Sequence, residues 1–428
     1  MRRFPAQFAY LTWVTFLSVT CFSAYFAARS LYVASTETSM LPLGDIWWFY
    51  RDYFSYVDGT YSFRHLFDRH NEHIVMTLRL ALFVDTIWFR GSGKFALAIS
   101  YISAAAAAFM LGWLAARPVR WQITGWSIAF LGLTWANIQL DNLTLPFQAV
   151  FPMAHAFVLL TLISLQRGSA GSSWWYAIAF AADFASVFTI GTGVLTGASA
   201  VALAIWLRKI DRIYSVFLAY HVALVALFAW LLNDPGFRAN GVLPSPSEAV
   251  AYFFAFLGNF TFNPAWGVVI AASSVVLFTY PTWVVARRKL GPSPEFAVLA
   301  AFALFIVLEA ASATFARAQL GTEQAFALRY STCTLLLAAT LFAAALRLFP
   351  TAPGRLAATV TLAATVHIAN PQVIEQGFRM RNQVQEALAA EIAKGRMPAD
   401  VPVTLCMSPN LLPIIQRFRE ARLGPFQR

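Results

Sequence analysis

The groups in this chain that could do chemistry are carboxylates and guanidiniums at a few outer segments. Asp45 follows Gly44 and precedes Trp47, Trp48, Phe49 and Tyr50. The surrounding loop is long and too aromatic for disorder, and loops longer than about 15 residues are usually functional or disordered. Aromatic side chains seat a segment at lipid-headgroup level. A carboxylate there is raised by desolvation or lowered by Arg51, and it sits where a base acting on a lipid-linked substrate must sit. The plain alternative is an interfacial aromatic belt beside a solvated acid. Asp52 and Glu72 are rival bases.

His70-Asn71-Glu72-His73 is expected to open an amphipathic helix over 71–89, where Glu72 would favour the N-terminus. Asn71, Glu72, His73 and Arg79 are candidate substrate-binding residues. His65, His70 and His73 with Asp68 and Glu72 could gather a cation, since i and i+3 share a helix face. Their spacing fits no established zinc signature, so no metal ligand is assigned, although a divalent cation is compatible with the chemistry.

Arg317 and Arg329 flank Gly321, with Glu323 and Tyr330 in the same segment. Planar guanidiniums suit phosphate oxygens, so the two arginines could clamp a lipid phosphate. Snorkelling to headgroups is the simpler alternative. Asn142 and Gln148 lie in the polar stretch 137–148, whose amides suit sugar hydroxyls or a plain turn. Asp183, Glu309, His155 and His221 fall inside apolar runs, where ionisable groups are functional candidates by default. They are the best argument for transport.

The elements that must position these groups follow from composition. Of 428 residues, 59% are hydrophobic and 12% charged, against about 25% charged for a soluble domain. Lipid must therefore solvate most of the chain. Three cysteines exclude a disulfide framework. Apolar runs of about 20 residues span a bilayer. They occur at 4–28, 95–116, 121–140, 147–165, 174–188, 192–207, 213–232, 265–286, 296–316, 327–346 and 356–369. Eleven spans are expected, within a range of ten to thirteen.

The positive-inside rule supports this count. It puts Arg2, Arg3, Arg117, Arg120, Arg167, Arg208, Lys209, Arg212, Arg287, Arg288, Lys289, Arg347 and Arg355 on the cytoplasmic side. The N-terminus is then cytoplasmic and the C-terminus periplasmic. The stretches 71–89 and 249–262 are read as interfacial helices rather than spans. The net charge of +11 is thus partly topological, and nucleic acid is not an expected partner. Three regions result: a bundle within 1–371, its large first outer loop 29–94, and a small α/β tail 372–428. The tail is expected to hold a helix over 375–394, a strand over 401–406 and a helix over 410–423. The fold class is all-α and polytopic. No Walker loop, dinucleotide fingerprint or nucleophile elbow is present.

Four segments resemble a group of bacterial polytopic inner-membrane proteins. They are Asn71-Glu72-His73, the stretch 137–148, Ser186 to Gly193 (SVFTIGTG), and Arg317 to Tyr330. In that group the first motif continues with Arg, where this chain has Ile74. The last has Gly and Ser where this chain has Ala316 and Leu328, while Arg317, Gly321, Arg329 and Tyr330 match. The architecture also resembles that of GT-C glycosyltransferases, helical membrane enzymes with a large first outer loop and a catalytic acid soon after the first span. That resemblance implies a polyprenyl-phosphate-linked sugar as donor, an envelope glycan or glycolipid as acceptor, and Asp45 as the base.

Overall fold

The computed structural model describes residues 6–116, 120–233, 243–287, 292–349, 351–406 and 408–427. Arg2, Arg3, Arg117, Arg288 and Lys289, counted above as cytoplasmic, lie outside the described residues.

A chain this apolar satisfies its backbone polar groups internally only as helix or closed barrel. The described residues are overwhelmingly helical, with one two-stranded pairing. Among the described residues, seven helices are long and apolar enough to cross a membrane: Tyr10–Glu37, Lys94–Ala115, Pro146–Ser169, Arg212–Leu232, Pro264–Arg287, Pro294–Leu320 and Leu328–Leu348. The chain is an all-α protein with the helices of a multi-pass membrane protein. The other four expected spans are shorter helices: Arg120–Thr134, Trp174–Val187, Thr196–Leu207 and Ala352–Ile368. At about 1.5 Å per residue, a 15-residue helix covers about 22 Å of a hydrocarbon core about 30 Å thick.

Three helices form the centre. The apolar windows of Pro146–Ser169, Pro294–Leu320 and Leu328–Leu348 are 83%, 67% and 72% buried, against 22% for Tyr10–Glu37 and Arg212–Leu232. On those outer helices Trp13, Val222 and Trp230 remain exposed. Such a face is stable only when lipid covers it.

The first loop departs from its expected form in one place that matters. Helix Met76–Phe89 is present, but residues 69–74 form an antiparallel hairpin rather than its first turn. Asn71 provides the left-handed turn residue (φ 52°), a conformation asparagine tolerates. His70 and His73 are therefore cross-strand partners, not neighbours on a helix face, and Glu72 caps no helix.

The tail also departs from expectation. Helices Gln372–Ala393 and Leu412–Glu420 occupy the expected helical stretches, but Val401–Thr404 is a helical turn, not a strand. No strand lies beside it among the described residues, and Pro402 suits the first turn of a helix. Val401 and Leu405, one turn apart, are both buried. The tail is helical, so its α/β reading is corrected.

Tail and first loop pack together. The Gly44 N–H donates to the Leu405 carbonyl at 2.8 Å, and Gln385 Nε2 donates to the Leu41 carbonyl at 2.9 Å. Arg417 holds Asp58 through both carboxylate oxygens at 2.8 and 2.9 Å. Phe418 lies 5.5 Å from Trp47 and 4.4 Å from Tyr50, ring centre to ring centre. Trp47, Phe49 and Tyr50 are buried in protein, so they form no headgroup belt.

Arg79 staples the loop internally. Its Nε reaches Asp52 at 3.3 Å, its Nη1 donates to the carbonyls of Leu66 (3.3 Å) and Asp68 (2.5 Å), and it lies over the Phe49 ring. Burial pushes the Asp52 carboxyl above its ordinary value, against the pull of Arg79. Removing one partner of a buried ion pair costs about 3–5 kcal/mol. Arg79→Leu should therefore loosen the loop by about 3 kcal/mol, read as faster protease cleavage between 58 and 76 in intact membranes.

Candidate active site

Asp45 immediately precedes helix Ile46–Val57 and makes no side-chain cap bond to it. Its Oδ2 instead accepts from His70 Nε2 at 3.3 Å. The hairpin supplies His70, and the rings of Phe49 and Phe147 lie 5.4 and 5.0 Å from it. The hydrogen bond from His70 holds the Asp45 carboxyl below its ordinary value, with burial opposing and the charge of Arg329 adding. The Asp45 side chain is 46% exposed. It is an ionised, oriented and reachable carboxylate.

Glu72 stands at the hairpin tip and is ion-paired with Arg317, at the end of the central helix Pro294–Arg317. Its other neighbour is His73, whose Nε2 lies 3.5 Å from Oε1. Burial works to raise the Glu72 carboxyl, but His73 and Arg317 outweigh it and hold it below its ordinary value. The tautomer of His73 follows from its other bond. Nδ1 accepts the Gly191 N–H at 3.2 Å, so Nε2 carries the proton toward Glu72. This approach needs a glycine: a Cβ at Gly191 would meet His73 Nδ1 at 2.9 Å.

Burial lowers His73 to about 4 from an ordinary 6.5. As pH falls between those values, the unfolded chain takes up a proton that the folded chain refuses. Stability contributed by neutral His73 is thus present above pH 6.5 and is lost progressively toward pH 4. His73→Gln should flatten that part of the melting-temperature profile in detergent.

A cavity of about 100 Å³ joins these groups to the bundle. Glu72, His73, Arg317, Arg329, Tyr330 and Glu309 line it, so loop and central helices meet there. Arg329 Nη2 donates to Gln324 at 3.2 Å, while its Nε is buried without a partner. Two guanidiniums and two carboxylates line this small cavity, Glu72 paired with Arg317 and Glu309 with His155, and the guanidiniums can hold an anion such as a phosphate while the carboxylates orient hydroxyls.

Other residues singled out above lie elsewhere. Asn142 is buried and donates to Leu328 O (3.0 Å) and Thr332 Oγ1 (2.9 Å), which fixes the turn carrying Arg329. Gln148 is half-buried, its Oε1 enclosed without a hydrogen bond. Asn71 and Glu323 are exposed. Asp52 and Arg79 line a separate small pocket beneath helix Ile46–Val57. His65 turns to Ser62, with Nδ1 2.9 Å from its hydroxyl, so the loop histidines do not converge as a metal cluster.

The ionisable groups inside the apolar helices, which lie far apart in the sequence, come together in the fold. They form two pairs, His155–Glu309 at 2.8 Å and His221–Asp183 at 2.9 Å. His221 Nε2 lies 3.1 Å from both the Gly197 N–H and the Val194 carbonyl, which makes the second pair a tie to the turn after Trp174–Val187. His70 as the partner of Asp45, and the N–H of Gly191, escaped the sequence reading. Both depend on contacts between distant segments.

Comparison of the chain with protein families, with curated proteins and with solved structures returned no match.

Proposed function

We propose that this chain is a membrane glycosyltransferase that moves a sugar from a polyprenyl-phosphate donor to a cell-envelope glycan or glycolipid. In this reading the chain makes eleven crossings of the bacterial inner membrane, with a GT-C-like arrangement. The N-terminus is cytoplasmic, and loop and tail face the periplasm. The observation that carries it is Asp45, held by His70 and within range of the charge of Arg329, an arginine that lines a cavity together with Arg317 and Glu72.

Asp45 takes the proton of the acceptor hydroxyl as its oxygen attacks the anomeric carbon. The bond from that carbon to the lipid phosphate breaks, and the configuration inverts because attack and departure are in line. Arg317 and Arg329 balance the charge that grows on the departing phosphate. Glu72 and its histidine orient Arg317 and a sugar hydroxyl. Asn142 acts at one remove, by shaping the Arg329 turn.

The test is mass spectrometry of envelope glycans and lipids from a deletion strain, complemented with wild type or Asp45→Asn at equal membrane abundance. Loss of one sugar, restored only by wild type, supports transfer. An unchanged profile overturns it.

A transporter or flippase for a lipid-linked or anionic substrate is the second reading, favoured by the paired His155–Glu309 and His221–Asp183. It requires activity that survives Asp45→Asn and fails on Asp183→Asn. A non-enzymatic part in envelope assembly would tolerate both.

A further inference from the structure

We propose that His155, Glu309 and Cys333 form a binding site for a zinc-type divalent cation beneath the cavity. Their ligand atoms all lie within 4.8 Å of one another, and all three residues are buried. They come from three central helices, Val150–Ser169, Pro294–Arg317 and Ser331–Leu348. The site therefore sits on the most deeply buried helices of the fold.

The donor set is one imidazole nitrogen, one carboxylate oxygen and one sulfur. A thiolate with an imidazole selects zinc or cobalt over magnesium or calcium, which prefer oxygen alone. Three protein ligands leave a fourth position open, and Glu309 also borders the cavity.

The supporting bonds are those of a ligand shell. His155 Nδ1 donates to the Phe151 carbonyl at 2.8 Å, which leaves Nε2 turned to Glu309 Oε2. Thr192 Oγ1 donates to Glu309 Oε1 at 3.1 Å. Such outer contacts fix the tautomer of a ligating histidine and the orientation of a carboxylate. Charge balance also fits. Without metal, one proton lies between His155 and Glu309 and another on the thiol, so the group is neutral. With metal, a neutral imidazole, a carboxylate and a thiolate neutralise a divalent ion. Loading exchanges the ion for two protons, and no net charge is left at a depth where it would be costly. The Asp183–His221 pair lacks such a third ligand among the described residues.

The experiment uses purified full-length protein in detergent, stripped with chelator and titrated with Co²⁺. The expected result is a thiolate-to-cobalt charge-transfer band that saturates at a single equivalent and is abolished by Zn²⁺ but not by Mg²⁺. Cys333→Ser should remove the band. Thr192→Val, which spares every ligand, should weaken binding by roughly 10–100-fold. No band in wild type, or a band unchanged in Cys333→Ser, overturns the proposal. The spectrum needs no sugar donor, so its outcome is independent of whether the chain transfers sugar.

Discussion

Asp45→Asn should lower sugar transfer by roughly 10²–10⁴-fold, the usual contribution of a positioned general base. Asparagine keeps the size of the side chain, and its Oδ1 can still accept from His70, so the loop should fold and donor affinity should hold within a few-fold. What is lost is the negative charge that receives the proton. Membranes supplied with polyprenyl-phosphate sugar and acceptor would read this as a fall in kcat at constant KM. Because His70 holds the carboxyl below its ordinary value, the base stays ionised well into acid. Turnover by wild type should therefore show no loss of this base between about pH 7 and pH 5. Asp52→Asn is the control. Asp52 is half-buried and paired with Arg79, so its loss should show in loop stability rather than in the chemical step. Transfer by Asp45→Asn above a tenth of wild type would remove Asp45 from the base role.

Arg317→Ala should cost roughly 10²–10³-fold in kcat, the scale of losing one donor to a developing anion. Arg317 has two duties that a single substitution confuses. It neutralises Glu72, and it faces the cavity where the phosphate would depart. The double variant Arg317→Ala with Glu72→Gln separates them. If Arg317 serves only to satisfy Glu72, the double variant recovers most of the activity. If it stabilises the leaving group, the double variant stays as slow as Arg317→Ala. Arg317→Lys should restore part of the rate, since an ammonium keeps the charge but not the planar fork.

Much of this arrangement was legible because composition decides solvent, and solvent decides structure. Runs such as 296–316 and 327–346 read as apolar and fold as central helices. The polar loop segments around Glu72 and Arg317 stood out because charge is rare elsewhere in the chain. That they meet was not legible: 245 positions separate them. The hairpin was misread for a local reason. His70 and His73 have a spacing of three, which suits a helix face, but a two-residue turn at Asn71-Glu72 also brings them opposite each other. The strand expected at 401–406 came from β-branched residues around a proline, without a partner that could pair with it. His155–Glu309 was hidden because each residue looks isolated in its own apolar run, 154 positions from the other.

The packing of tail on loop also sets an order of assembly. Asp58 waits for Arg417, 359 positions later, and Leu41 waits for Gln385, 344 positions later. A ribosome delivers Trp47, Tyr50 and their neighbours long before Phe418, the ring that covers them, has been made. During synthesis the first loop must stand as an unfinished surface while the membrane helices are inserted. The packing of the first loop is thus completed only when helix Leu412–Glu420, nearly the last segment made, docks on it.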